Sequence, residues 1–324
     1  MNTTVYYQEK IEAAIRQLSF SGEPKELYEP IRYMMDLGGK RIRPVLVMMA
    51  NELVGGREED ALTSALGIEV FHNFSLLHDD IMDKAPLRRS MQTVHTKWNP
   101  NIAILSGDTM FVHSCQLMSQ VNPKQLQKVL SLFFQTAIEV CEGQQLDMNF
   151  EFQQSVSIAD YLHMITLKTA VLLGGSLAIG AMCGNAVEED EKHLYEFGKN
   201  LGIAFQLHDD LLDVYGDHVK FGKQVGGDIL SNKKTFLLLT ALNDANGQSK
   251  SSLNEWIGID VFDANEKVKA VTAIYNELNV REKTEQEMEK YFSIAIEHLL
   301  KVSVDPVKKQ PLKELAEQLM VREK

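Results

Sequence analysis

Residues 58–83, EEDALTSALGIEVFHNFSLLHDDIMD, decide the fold. Apolar Ala61, Ala65, Ile68 and Phe71 recur at helical spacing, so the stretch reads as one long helix. Pro86 cannot continue it, and 84–100 is expected as a loop carrying Arg88 and Arg89. The helix ends in a D-D-x-x-D pattern, Asp79, Asp80 and Asp83. Asp79 and Asp83 stand four apart, their Cβ atoms roughly 5–6 Å from each other on one face. No positive side chain lies between them in sequence, and carboxylates that close repel unless a cation separates them. A hard divalent ion such as Mg²⁺, completed by phosphate oxygens, suits that pair. The two arginines suit the phosphates, because a guanidinium fork pairs phosphate oxygens bidentately.

A second copy strengthens the reading. Residues 207–213, LHDDLLD, nearly repeat LHDDIMD at 77–83. The two copies suggest two metal-binding walls around one central cavity.

The same helical punctuation continues outward. Pro24 is expected to open a helix that stops at Gly38-Gly39, and Pro44 one that stops at Gly55-Gly56. Further helices are expected over 101–120, 123–149, 158–183 and 187–215, then from 233–244 onward, after a Gly-rich loop at 216–232. No alternating strand pattern emerges. The fold class is all-α: a large single-domain helical bundle of 1–324 with a central cavity, its polar C-terminal helices (about 245–324) peripheral.

Composition narrows the function. The 324 residues carry a formal charge of −12, which argues against a nucleic-acid partner. Cys115, Cys141 and Cys183 are scattered and form no ligand or disulfide pattern, which fits a reducing, cytoplasmic setting. The most apolar stretch, Ala170–Gly184, falls short of the ~18 residues of a membrane span and reads as a buried, closely packed helix.

Four further constellations carry chemistry. Gly38-Gly39-Lys40-Arg41-Ile42-Arg43 places three cations before a helix start, where glycines let backbone approach an anion. Lys168-Thr169 interrupts an apolar helix, which aims a cation inward or lets it snorkel to solvent. Lys220, Lys223, Lys233 and Lys234 sit in the Gly-rich loop, a candidate lid. Glu69 and His72 form an ExxH, but a di-iron site needs two such motifs and only one is present. Below the aspartates, Phe71, Phe74 and Ser75 share the helix face; at ~1.5 Å per residue Phe74 lies about 7.5 Å and Phe71 about 12 Å from Asp79. A polyanionic head with a long apolar tail answers this arrangement.

With these residues assembled, the chain resembles the trans-prenyl diphosphate synthases, the short-chain farnesyl and geranylgeranyl group. The resemblance is carried by DLGGKRIRP (36–44), HNFSLLHDDIMD with Arg88-Arg89, SGDTMF (106–111), EGQQLD (142–147), LKTA (167–170), FQLHDDLLDVYGD (205–217) and GGDILSNKKT (226–235). It implies an Mg²⁺-dependent prenyltransferase that condenses isopentenyl diphosphate with an allylic diphosphate, and a homodimer. It implies that Lys40, Arg43, His72 and Arg89 bind isopentenyl diphosphate. Asp79, Asp83 and Asp209 would hold the metal, about three Mg²⁺ carried by the diphosphate, with Asp80, Asp210 and Asp213 completing the catalytic motifs. Arg88, Lys168, Lys223 and Lys233 would grip the allylic diphosphate, Thr169 and Gln206 would face the allylic carbons, and Phe71, Phe74 and Ser75 would limit chain length to C15–C20. Ser90, Gln92, His218 and Asn232 depart from the family's usual residues, glycine being usual at 90 and common at 232. A terpene cyclase would need no second diphosphate site, a non-catalytic subunit would have lost aspartates or lysines, and a diphosphate hydrolase would need a side chain placed to activate water.

Overall fold

The structure, a computed structural model, describes residues 3–216 and 226–321. Helices follow one another as α1 Thr3–Ile15, α2 Lys25–Asp36, α3 Ile42–Leu53, α4 Glu58–Met82, α5 Val94–Lys97, α6 Pro100–Met118, α7 Leu126–Phe152, α8 Ile158–Ile165, α9 Val171–Cys183 and α10 Glu188–Tyr215. After the undescribed segment come α11 Gly227–Leu230, α12 Phe236–Asp244, α13 Gly247–Gly258, α14 Ala264–Glu277, α15 Val280–Lys301 and α16 Pro306–Met320. The all-α expectation holds, with one exception. Inside the expected loop 84–100, β1 Leu87–Arg88 and β2 Met91–Gln92 pair as an antiparallel ribbon, followed by α5.

Two compact units emerge from the packing. One takes the chain to Thr136 with Gly175–Tyr195 and Leu300–Leu312; the other takes Ala137–Gly174, Glu196–Leu299 and the chain from Lys313. In the first, Tyr7, Ile11 and Ile15 of α1 are buried, as are Ile31 and Met34 of α2, Val45–Met49 of α3 and Ile68 of α4. Helix α1 was not anticipated, although Tyr7, Ile11 and Ile15 show its i, i+4, i+8 spacing. Gly180 of α9 has no side chain because a Cβ there would stand 2.1 Å from the Val47 carbonyl oxygen.

In the second unit, Leu211 and Val214 of α10 share a core with Ile229, Leu237, Leu253, Val271, Tyr275 and Val280. Helices beyond residue 245 therefore supply buried residues behind the second aspartate motif. Another core joins Phe150, Tyr161, Ile165, Ala170, Ile203 and Leu207.

The helix expected at 158–183 is continuous but not uniform. Thr166–Ala170 form a π turn between α8 and α9. Two glycines allow it: a Cβ on Gly143 of α7 would lie 2.2 Å from the Lys168 backbone nitrogen, and one on Gly202 of α10 would lie 2.6 Å from the Ala170 Cα. Single π turns often mark functional sites because the extra residue re-aims side chains. The 26-residue run Ile158–Cys183 is long and apolar enough to cross a membrane, more than the sequence suggested, yet 78% of its most apolar window is buried inside the protein. It is a core helix.

Candidate active site

In the first unit the chemistry gathers at the C-terminal end of α4. The helix stops at Met82, where Lys84 adopts a left-handed conformation (φ 50°) and the Ala85 amide donates to the Asp80 carbonyl at 3.0 Å. Asp80 is buried; Asp79 is partly exposed and Asp83 fully so. Arg88 of β1 spans the first two: its Nε donates to both Asp80 oxygens at 2.9 Å, and its Nη2 lies 2.8 Å from Asp80 Oδ1 and 3.8 Å from Asp79 Oδ2. The sequence places no cation between Asp79 and Asp83, but the ribbon folds Arg88 back onto Asp80 and toward Asp79. Burial pushes the Asp80 carboxyl above the ordinary carboxylate range, against the pull of Arg88.

The ribbon itself explains the Arg88-Arg89 pair. Leu87 pairs Gln92 and Arg88 pairs Met91, so Arg89 and Ser90 make a two-residue turn. Both have positive φ, 53° and 63°, the requirement of a type I′ hairpin. A glycine at 90 would meet that φ without strain; Ser90 meets it at a cost of about 1 kcal/mol. Tyr33 of α2 anchors the ribbon, its hydroxyl donating to the Gln92 carbonyl at 2.7 Å.

Arg89 then lies against Gly39, whose added Cβ would sit 2.9 Å from Arg89 Nη2. Nearby, Arg43 Nη1 stands 3.1 Å from His72 Nε2. Since Arg donates, Nε2 accepts, and the ring is neutral with its proton on Nδ1. Burial and then the charges of Arg43, Arg89, Arg88 and Arg41 hold His72 well below the ordinary histidine pKa. Arg43, His72 and Arg89 therefore converge beside the Gly38-Gly39 turn, with Lys40 exposed next to it. Arg41 does not join them. It is 4% exposed and points into the core, with Nη1 2.6 Å from Glu69, Nε 2.7 Å from Glu12 and Nη2 2.8 Å from the Met35 carbonyl. Two cations, not three, remain at this turn, Lys40 exposed and Arg43 half-buried. The same contact takes Glu69 out of any metal-ligand role.

The neutral histidine has a pH consequence. Below the free histidine value of about 6.5 the unfolded chain takes up a proton that the folded chain refuses, so stability falls as pH drops through that value. His72→Gln should flatten the urea midpoint between pH 6.5 and 5 relative to the parent. An unchanged slope would show that His72 ionises in the folded protein.

One face of α4 below Asp79 is aromatic. Phe74 lies 4.8 Å from the His78 ring, 5.6 Å from Phe71 and 5.4 Å from Phe111 of α6. Phe71 is buried and also stacks edge-on against Phe133 at 5.4 Å. Ser75 donates its hydroxyl to the His72 carbonyl at 2.9 Å, so it adds no bulk beside Phe74. His78 reaches the Ile104 carbonyl at 3.2 Å and occupies the space a Cβ on Gly107 would need.

In the second unit the residues form a hydrogen-bonded chain. Thr169 Oγ1, on the π turn, donates to Gln206 Oε1 at 3.1 Å; Gln206 Nε2 donates to Asp210 Oδ1 at 3.1 Å; the Tyr161 hydroxyl donates to Asp210 Oδ2. Burial, and then the charge of Asp228, raises the Asp210 carboxyl to about 7. Asp209 and Asp213 stand one turn apart on α10, both partly exposed. Asp213 also builds structure: its Oδ2 accepts from the Asp228 amide at 2.9 Å and its carbonyl from the Gly226 amide at 2.7 Å. Lys168 Nζ lies 2.5 Å from Asp147 Oδ2. Burial would raise the Asp147 carboxyl, but Lys233 and Lys168 outweigh it and hold the group low. Lys234 turns away, donating to the Phe150 and Gln153 carbonyls at the end of α7. Lys220, Lys223 and His218 lie outside the described residues.

Comparison with known proteins matches the Polyprenyl synthetase family over residues 24–277. The chain belongs to the polyprenyl synthetase family. It is similar to the geranylgeranyl diphosphate synthase of Methanosarcina mazei, 39% identical over 252 residues, 76% of this chain and 78% of that one. A crystal structure of a geranylgeranyl pyrophosphate synthase superposes with a TM-score of 0.94 at 40% identity, covering 99% of each chain. A polyprenyl synthase from Caulobacter crescentus CB15, solved with calcium and isoprenyl diphosphate, superposes at 0.88 with 26% identity, over 99% of this chain and 98% of that one.

The donor set suits the divalent ion this family uses. Among the described residues no three His, Cys, Asp or Glu side chains are grouped to hold a metal alone. The motif carboxylates are hard oxygen donors, and Asp80 and Asp213 carry structural hydrogen bonds as well. Oxygen donors of this kind match a hard divalent ion, which commonly completes its shell with phosphate oxygens. Sequence reasoning missed Asp147 and Tyr161. Asp147 lay in view inside EGQQLD, an acid on the helix that packs against Lys168; Tyr161 carried no signal.

Proposed function

We propose that this prenyltransferase is a geranylgeranyl diphosphate synthase. It condenses isopentenyl diphosphate with an allylic diphosphate, releases pyrophosphate, and stops at C20. Short-chain trans-prenyl synthesis itself follows from the family and from the relatives above. The observation that supports the reading is the convergence of Arg43, His72 and Arg89 beside Gly39, a cationic cluster suited to a second diphosphate. A cyclase has no use for it.

Asp79, Asp83 and Asp209 would hold Mg²⁺, about three ions per site brought by the diphosphate, and the metal would supply Lewis-acid stabilisation of the leaving group. Arg88, Lys168 and Lys233 neutralise charge that grows on the diphosphate as the C–O bond breaks. The chain's apolar walls exclude water from the allylic cation. The Thr169 hydroxyl and Gln206 amide, ordered by Asp210 and Tyr161, present fixed dipoles to it. Arg43, Arg89, Lys40 and the Nδ1–H of His72 hold isopentenyl diphosphate, whose double bond attacks C1. A proton then leaves C2 for the released pyrophosphate, since no side-chain base is evident among the described residues.

The direct test is incubation with isopentenyl diphosphate, Mg²⁺ and dimethylallyl, geranyl or farnesyl diphosphate. No elongation from any primer would overturn the reading. Phe74→Ala should lengthen the products, since it opens the space bounded by Phe71 and Phe111. Chromatography showing an unchanged product would remove Phe74 as the floor.

The enzyme works as a cytoplasmic homodimer in this reading. Its three free cysteines suit the compartment. Leu105 and Val112, seven apart on α6 and more than half exposed, and Phe134 on α7 offer an apolar face for a second copy. Light scattering should return twice the chain's 36.6 kDa; the monomer mass would exclude the dimer.

A further inference from the structure

Lys267 on α14 has a buried ammonium that no step above employs. Its residue is 1% exposed. Nζ donates to Asn232 Oδ1 at 2.8 Å, reaches the Leu230 carbonyl at 3.5 Å and lies 4.2 Å from the centre of the Phe262 ring. Burying an ammonium is costly, and the same helix buries Val271, Ile274 and Tyr275, so a methionine would suit the core better. What Lys267 obtains for that cost is a grip on the turn before Lys233.

The turn is held at both ends. Asn232 is left-handed, with φ 52°. Its Nδ2 donates to the Ile257 carbonyl at 3.1 Å while its Oδ1 accepts from Lys267. The next amide, of Lys233, donates to the Asp228 carbonyl at 2.9 Å. At the other end, Val268 packs on Gly226 so closely that a Cβ there would lie 2.6 Å from its Cγ2. Gly226 and Asp228 are the residues tied to Asp213. Adjacent residues of α14 thus brace residues 226–233, tied to Asp213 at one end and carrying at the other Lys233, whose charge bears on Asp147 and Asp210.

We propose that Lys267 is a positioning residue for the allylic diphosphate: by clamping Asn232 in its left-handed turn, it fixes where the Lys233 ammonium stands. This rests on the function proposed above. A glycine at 232 could take the same φ but would offer no acceptor.

The test uses the full-length enzyme, Lys267→Met, Asn232→Gly and the double variant. The parent must first elongate a primer; if it does not, the proposed function fails, whereas an active parent with indifferent variants defeats only the role of Lys267. Lys267→Met should raise KM for the allylic diphosphate and the inhibition constant of inorganic pyrophosphate about tenfold, the worth of one misplaced charge-assisted contact. KM for isopentenyl diphosphate should stay within about twofold, and the double variant should be no worse than the poorer single one. A rise in both KM values together, no rise in either, or effects that multiply would overturn the role. If Lys267→Met fails to fold, Asn232→Gly removes the acceptor without touching the core. The same split is expected from it, and an unchanged allylic KM there would be equally fatal.

Discussion

Arg41→Met should destabilise this protein by about 3–5 kcal/mol, because it leaves Glu69 charged and buried without its counter-ion. Arg41 and Glu69 have side chains 1% and 3% exposed and meet at 2.6 Å. Asn73 Nδ2 also donates to Glu69 at 2.8 Å, which makes the carboxylate part of a small buried network. Thermal unfolding should show a drop on the order of 10 °C. Arg41→Met with Glu69→Met should recover much of that loss, since removing both charges is far cheaper than removing one. A single-variant loss below about 1 kcal/mol would show that Asn73 alone satisfies Glu69. Arg43→Gln, two residues on, should cost only about 1 kcal/mol, the worth of its hydrogen bond to His72, and should raise KM for isopentenyl diphosphate instead. Those outcomes would divide neighbouring arginines in one basic cluster into a structural member and a binding member.

Lys168→Gln should reduce turnover by roughly 10²–10³-fold, the usual cost of removing one preorganised group from developing negative charge. The side chain sits on the π turn, held in place by the close approach of α7 at Gly143, and its ammonium rests on Asp147. Steady-state kinetics with an allylic diphosphate reads the loss. Lys168 could act only by neutralising Asp147, and Asp147→Asn separates the two cases. If neutralisation were all, the double variant would regain parental turnover; if Lys168 meets the diphosphate, it stays slow.

The fold was legible where periodicity runs long. The helix from Glu58 and the one ending in the second aspartate motif stand within a residue of their expected bounds, because long apolar faces and glycine or proline stops leave little choice. What escaped was decided by contacts distant in sequence. The type I′ ribbon at 87–92 hid because Arg89 and Ser90 are not residues that announce positive φ. The π turn hid because Thr166–Ala170 reads as ordinary helix until Gly143 and Gly202 are seen pressing on it. Within the basic cluster, composition could not say which cation turned inward, since the partner that turns Arg41 lies 28 residues away. Lys234 resembles Lys233 in sequence, yet it caps the end of α7.

In the function proposed here, the aromatic stack on α4 would make product length a graduated scale. Metal-side carboxylates and the floor belong to one rigid helix, so the distance between them cannot drift with loop motion or side-chain choice elsewhere. On a given face the next available rung is one turn away, about 5.4 Å. Phe74 and Phe71 already occupy two positions three residues apart. On that proposal, changing the product would be a matter of removing or adding a rung, and intermediate lengths should arise as mixtures of discrete products.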